Sequence, residues 1–387
     1  MFSNRTGWPL TPNRLITLFD KFKSEGTFVF DLTVSNPTRC GFVYPQEEIL
    51  KALSLSENMG YAPQAFGSPK ARKLVSQDYQ KRNISLSEEN IVLTSSSSES
   101  YSFLFRLLLN PDDHLLLPKP SYPLFEFLGN LNDAAMDFYS LCYQDQWSID
   151  LLSIERAIGP KTKAIVLVHP NNPTGSYLQS EELAAINAFC GKHHLAIICD
   201  EVFLDYSLEE SKSRCASLAA NSKVLTFALG GLSKSLGLPQ MKLSWIAVNG
   251  PEAQTQEALK RLEIIADTYL SVNTPSQNAL GKWFSLKPAI QNSIKERLRE
   301  NQKVFFDTFP ESCSAIPLKV QGGWYGILRV SEEVCEEELA FALLAEAHVF
   351  VHPGYFFDFD QGHHLVISFL TEPKIFAQGL KSIYKYL

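Results

Sequence analysis

The chain has 387 residues, 35 basic and 42 acidic side chains, a formal charge of -7 and 45% hydrophobic residues. This acidic balance excludes a broad electrostatic footprint for nucleic acid or for an anionic membrane, and seven cysteines without a CxxC pair give no disulfide or zinc framework to expect. No apolar run reaches the ~18–20 residues of a membrane span, and the start, MFSNRTGWPLTPNR, lacks the apolar core of a signal peptide. The expectation is a compact cytoplasmic chain with no metal. It exceeds the ~250–300 residues at which single cores stop growing, which predicts two domains.

In chain order, QEEILKALSLSENMG (46–60) has apolar positions at helical spacing and a glycine stop. IVLT (91–94) is a short apolar run that opens into the serine tract SSSSES and the helical YSFLFRLLL. DHLLLPKPSYPLF reads as a buried strand followed by a proline-punctuated loop. AIVLVHP (164–170), SEELAAINAFCGKHH (180–194) and LAIICDEVF (195–203) form a strand–helix–strand unit. Near-continuous apolar strands of this kind suit a parallel sheet covered on both faces. KVLTFAL (223–229) and LSWIAVN (243–249) continue the pattern. Beyond them, SIKERLRENQKVFFDTF (293–309) predicts a helix, GGWYGILRV, VFVHPG and HLVISFL predict strands, and KIFAQGLKSIYKYL predicts a closing helix. The division expected is a large domain over 46–275 and a smaller α+β domain from 1–45 with 276–387.

Ligands in open parallel α/β sheets bind beyond the carboxyl ends of the strands. Three successive strands end there in polar groups: His169 to Gly175 (HPNNPTG), Cys199-Asp200-Glu201, and Ser233-Lys234 after two glycines. The serine run 95–98 opens a helix, where N–H groups and hydroxyls can hold an anion. Singly, these are a turn, a helix cap, a loop and a solvated lysine. Together they suit imine chemistry: a partly desolvated lysine, a carboxylate to keep a pyridine nitrogen protonated, a carboxamide for a phenolate oxygen and a nest for a phosphate. Those demands describe pyridoxal 5'-phosphate.

PNNPTG, CDEVF, GLSKSLGLPQMKLSW and PSYP resemble the class I/II aminotransferases of pyridoxal-phosphate fold type I, from about residue 30 to the C-terminus. The resemblance implies an α/β fold whose large domain has a mainly parallel, seven-stranded-type sheet flanked by helices. It implies that Lys234 is the Schiff-base lysine and proton shuttle, that Asp200 pairs with the ring nitrogen and that Asn172 pairs with the ring oxygen. Tyr122 would stack on the ring, while Ser97, Ser98, Ser233 and Lys242 would surround the phosphate. Tyr61, in GYAPQAFG, would reach the phosphate from a second subunit, which implies a homodimer with shared active sites.

Four positions depart from that pattern. Gly231 stands where a second phosphate-binding serine is usual, and Lys242 replaces an arginine, keeping the charge but losing the bidentate fork. Phe203 replaces a tyrosine that donates to the ring oxygen, and its loss should raise the pKa of the imine. Val366, in HLVISFL, stands where an arginine usually forks the substrate α-carboxylate. Arg39 is the first candidate to replace that cation and Arg329 a weaker one; alternatively the substrate presents no free α-carboxylate, with His352 and Tyr355 shaping the pocket. The reaction implied is amino transfer between an amino acid and a 2-oxo acid. A lyase or decarboxylase on the same fold is the alternative that the lost arginine would suit, and a regulatory binding domain is disfavoured by the presence of Lys234, Asp200 and Asn172.

Overall fold

The structure, a computed structural model, describes residues 1–310 and 312–387. Its centre is an eight-stranded sheet in the order Ile91–Thr94, Ser244–Asn249, Thr226–Gly231, Ala196–Asp200, Thr162–Val168, His114–Lys119, Ala135–Gln144, Gln146–Ile149. Ser244–Asn249 and Gln146–Ile149 run antiparallel to their neighbours, and the remaining pairings in the sheet are parallel. Seven strands therefore form the expected frame, and the eighth is a hairpin extension after Asp145, a residue in the left-handed region with φ 60°. The strands Ile91–Thr94, at one edge, and Ala196–Asp200 and Thr226–Gly231, in the middle, are buried at every position, as continuous apolar runs demand.

One sheet face packs against Ser97–Leu108 and Glu252–Tyr269, through Val92, Val166, Ile198, Leu229 and Ile246. The alternate residues of several strands, among them Leu93, Ala228, Trp245 and Ala247, join a second cluster that continues through the long helix Thr274–Thr308 to the C-terminal strands and helices. That C-terminal region holds a four-stranded antiparallel sheet, Ile316–Pro317, Tyr325–Val330, His363–Ser368 and His352–Pro353 in spatial order. The strand Phe30–Asp31 pairs in parallel with Val349–Phe350, tying the N-terminal segment to the same region.

Two helices differ from the sequence expectation. The helix expected over 46–60 stops at Lys51, and a single 3-10 turn follows at Ser56–Met59. Asn58 Nδ2 donates to Leu53 O at 2.8 Å, so a side chain takes a carbonyl near the point where the helix has ended. The helix expected from 293 instead begins at Thr274 and runs 35 residues through Pro288. Proline in a helix interior costs about 3 kcal/mol. Here the buried stripe Ala279, Leu280, Trp283, Phe284, Ile290, Ile294, Leu298 and Phe305 continues on both sides of it and offsets that cost by packing. Asn273 caps the start by accepting from Ser276 N at 2.8 Å.

Candidate active site

Register brings the polar strand ends together. Val168 pairs with Asp200, and Asp200 with Leu229, so the chain segments carrying Asn172, Asp200 and Lys234 leave the sheet side by side at one edge. After Val168 the chain folds into a buried turn held by its own side chains. Asn171 Oδ1 accepts from Thr174 N at 3.3 Å and from Thr174 Oγ1 at 3.0 Å, and Gly175 N donates to Asn171 O at 2.8 Å. Gly175 has φ +68°, and a Cβ there would come within 2.3 Å of Gly322 O, so only glycine lets the turn meet the Gly322-Gly323-Trp324 segment. Asn172 is buried, and its Oδ1 has no hydrogen-bond partner among the described residues.

Asp200 is buried and held from two sides. Val202 N donates to Oδ1 at 3.0 Å, and Tyr101 Oη, from helix Ser97–Leu108, donates to Oδ2 at 3.0 Å. Burial raises the Asp200 carboxyl above its ordinary range, partly offset by these donors and by Lys234. Its neighbour Glu201 belongs to the scaffold, accepting from Ser217 Oγ and Leu218 N, each at 2.6 Å. His169 is also structural: Nδ1 accepts from Leu178 N at 3.0 Å, so Nε2 is the donor to Cys215 O at 3.1 Å. Burial pushes its pKa down to about 4, which keeps the ring neutral.

Lys234 lies in the short helix Leu232–Ser235, whose backbone is gripped from outside. Tyr206 Oη donates to Lys234 O at 2.7 Å, Gln291 Nε2 to Ser235 O at 2.8 Å and Ser235 Oγ to Gly231 O at 2.7 Å. The ammonium sits 4.9 Å from the Trp324 ring centroid and 5.4 Å from that of Phe203. This apolar setting desolvates it and lowers its pKa to about 8, against the smaller opposing pull of Asp200 and Cys40. Trp324 is fully buried, with an Nε1 that has no partner among the described residues.

A buried ion network anchors the segment after Asp200. Lys287 Nζ lies 2.7 Å from Asp78 and 3.3 Å from Asp205, and Arg82 lies 2.8 Å from Asp205 and 3.3 Å from Asp78. It fastens the loop carrying Phe203 and Tyr206 to Pro69–Gln80 and to the long helix.

At the start of helix Ser97–Leu108, Ser96 Oγ accepts from Glu99 N at 3.2 Å and Glu99 Oε2 accepts from Ser95 N at 2.7 Å. The N–H groups of Ser97 and Ser98 keep no protein partner among the described residues, as the first turn of a helix dictates. Ser97, Ser98 and Ser233 are half-buried, and Lys242 is exposed in the left-handed region with φ 49°. Tyr122 follows the His114–Lys119 strand and is partly exposed, its hydroxyl pushed up to about 12 by burial. Tyr61 is 77% exposed and belongs to no core of this chain.

In the C-terminal sheet, Val366 is 1% exposed and pairs with Ile327 on one side and His352 on the other. Burial lowers the His352 pKa to about 4, so its ring is neutral at neutral pH. Arg39 ends a 3-10 turn with its side chain exposed and in no ion pair among the described residues. Arg329 is exposed on the Tyr325–Val330 strand, and Tyr355 is exposed with its hydroxyl accepting from Asn13 Nδ2 at 2.7 Å. Sequence reading missed Tyr101, Tyr206, Trp324 and Gln291. Only Tyr101 left a trace, as a polar-tipped residue one turn into a helix that opens at the site.

A family model described as aminotransferase class I and II matches residues 27–375, and the chain belongs to that family, whose members work with pyridoxal phosphate. Glutamate-pyruvate aminotransferase AlaA of Escherichia coli strain K12 is 30% identical over 262 residues, 67% of this chain and 64% of that protein. The match thus spans less than two thirds of that relative's length. The same-named protein of Haemophilus influenzae is 26% identical over 376 residues, 95% of this chain and 92% of its own. Among solved structures, an alanine aminotransferase from Pyrococcus furiosus superposes with a TM-score of 0.89 at 23% identity, covering 100% of this chain and 99% of the other, a likeness of fold.

Proposed function

We propose that the protein is a pyridoxal-phosphate-dependent aminotransferase that moves an amino group between an amino acid and a 2-oxo acid. The observation that carries this reading is the convergence at one sheet edge of a desolvated lysine, a buried carboxylate and a buried carboxamide with an unpartnered oxygen. The names of the relatives above point the same way, and none of them is a lyase or decarboxylase.

The residues present fit the cofactor. Lys234 would hold its aldehyde carbon, Asp200 its ring nitrogen, Asn172 its ring oxygen and Tyr122 its face. Ser97, Ser98, Ser233 and Lys242 would surround its phosphate. When bound, the group supplies an electrophilic aldehyde and a ring that accepts electron density. The protein does the rest. The apolar walls of Phe203 and Trp324 hold a fraction of Lys234 as free amine near neutrality, able both to attack and to take a proton from the substrate α-carbon. Asp200, oriented by Tyr101 and Val202 N, keeps a negative charge where a ring N–H would donate. Arg39 is the cation we assign to the substrate carboxylate, because it is exposed and the segment that follows it reaches the lysine loop, where Tyr44 Oη donates to Gly237 O at 2.8 Å.

A homodimer with shared sites is part of the same proposal. Met59 (90% exposed) and Tyr61 (77%), two residues apart in the chain, leave large apolar side chains uncovered in the chain on its own. Cytoplasmic residence accords with free thiols and with the lack, among the described residues, of a helix long and apolar enough to cross a membrane.

The test is a donor screen followed by absorbance. An aminotransferase converts its cofactor to the amine form on addition of amino donor alone, whereas a lyase does not. Failure of every amino acid to produce that change would sink the reading. Light scattering of the purified protein gives the dimer, and mixing Tyr61→Ala with Lys234→Ala chains shows whether sites are shared, since hybrids then recover activity.

A further inference from the structure

Ser244 opens the Ser244–Asn249 strand, with Thr94 as its partner on one side and Gly231 on the other. Directly opposed residues of an antiparallel ladder present their side chains to the same face. Thr94, Ser244 and the side chain that Gly231 lacks therefore share a face. It is the face covered by helix Ser97–Leu108, because Val92, Ile246 and Leu229, each two residues further along, pack with Tyr101 and Leu104 of that helix. Thr94 marks the height on the helix: its Oγ1 donates to Ser96 O at 3.3 Å and lies 2.7 Å from Ser100 Oγ. The Ser244 hydroxyl thus lies between the helix start at Ser96–Ser98 and the loop that carries Ser233 and Lys234.

Two observations single it out. A Cβ on Gly231 would fall 2.3 Å from Ser244 Oγ, so this hydroxyl fills the volume that a side chain at 231 would take. Ser244 is 2% exposed and makes no side-chain hydrogen bond among the described residues, yet its hydroxyl is not one of the polar atoms sealed without a partner. The Ser244 hydroxyl is therefore open at its tip, free to donate to a partner that the protein does not supply.

We propose that Ser244 is a phosphate-binding residue, its hydroxyl replacing across the ladder the one that Gly231 does not supply. It donates to the anion held by the free N–H groups of Ser97 and Ser98. The loss noted at 231 is then a relocation of the donor. This rests on the cofactor reading above.

The experiment compares binding of pyridoxal phosphate, of pyridoxal and of inorganic phosphate (as competitor) to the cofactor-free full chain. In Ser244→Ala, pyridoxal phosphate should bind about tenfold to a hundredfold more weakly, the range for a hydrogen bond to a charged group. Phosphate should compete correspondingly less, while pyridoxal affinity stays unchanged. The double variant Gly231→Ser/Ser244→Gly carries the hydroxyl back and should recover most of the loss. An unchanged ratio of pyridoxal phosphate to pyridoxal affinity in Ser244→Ala would overturn the assignment, as would an equal fall in both. Should Ser244→Ala not fold, the double variant decides: phosphate-selective binding at the wild-type level supports the proposal, and its loss refutes it. If the unmodified chain binds neither aldehyde, the cofactor reading itself fails, an outcome distinct from all of these.

Discussion

Two regions of the molecule, the carboxyl edge of the large sheet and the C-terminal sheet, are built on opposite terms. At the carboxyl edge of the large sheet, polar side chains are buried and positioned with hydrogen-bonding capacity left over, as at Asn172 Oδ1 and the first N–H groups of Ser97–Leu108. On the C-terminal sheet, Val366 and Ile327 themselves are apolar and fully buried. Residual hydrogen-bonding capacity marks a wall made to receive a fixed partner. Val366, with no charge to offer, leaves recognition of a carboxylate to another segment.

The comparison breaks most sharply at Lys234. Lys234→Ala should lower turnover by at least about 10⁴-fold, the upper range for a lost general acid–base group, with fold and melting temperature little affected; steady-state kinetics and calorimetry check both. Lys287→Ala tests the scaffold behind the same wall. It leaves Asp78 and Asp205 short of a buried cation, and stability should fall by about 3–5 kcal/mol in denaturant titration. In the N-terminal loop, Arg39→Ala should raise KM for the amino donor by about tenfold or more with a smaller change in kcat, the mark of lost ground-state binding. An unchanged KM would return the carboxylate to the apolar wall alone.

Two smaller effects are read by pH. The Lys234 ammonium is destabilised by burial, so its neutral fraction rises through about pH 8 and not near 10.5. The rate at which the cofactor-free protein combines with pyridoxal should climb with that midpoint, and a midpoint above pH 10 would contradict the desolvation. Phe203→Tyr restores a donor toward the ring oxygen, which favours the deprotonated imine; the pH midpoint of the bound chromophore should fall by about one unit, ~1.4 kcal/mol. No shift would mean that the hydroxyl points elsewhere.

The large-sheet wall was legible in the sequence because its signals are local. An apolar run followed by Asn, Asp or Lys places a polar group at a strand end whatever the rest of the chain does. What escaped depends on register and distance. Tyr101 reaches Asp200 across 99 positions, and Gln291 holds the lysine helix from 56 away. Ser244 becomes interesting only when Gly231 is known to be its partner. The helix expected from 293 reaches back to Thr274, and a buried stripe on both sides of Pro288 carries it through that proline. Val366 was legible as a departure, but its apolar setting between Ile327 and His352 needed the sheet.

The contact between Gly175 and Gly322 couples the turn that bears Asn172 and the segment that bears Trp324 in heredity as well as in space. A side-chain carbon at 175 would strike Gly322 O, and one at 322 would come 2.6 Å from the Tyr177 ring and 2.7 Å from Tyr206 O. The turn that presents Asn172 and the segment that delivers Trp324 are therefore a matched pair. A chimera importing either stretch from a relative should function only when the other comes from the same parent, so the unit of exchange in redesigning specificity is the pair of loops.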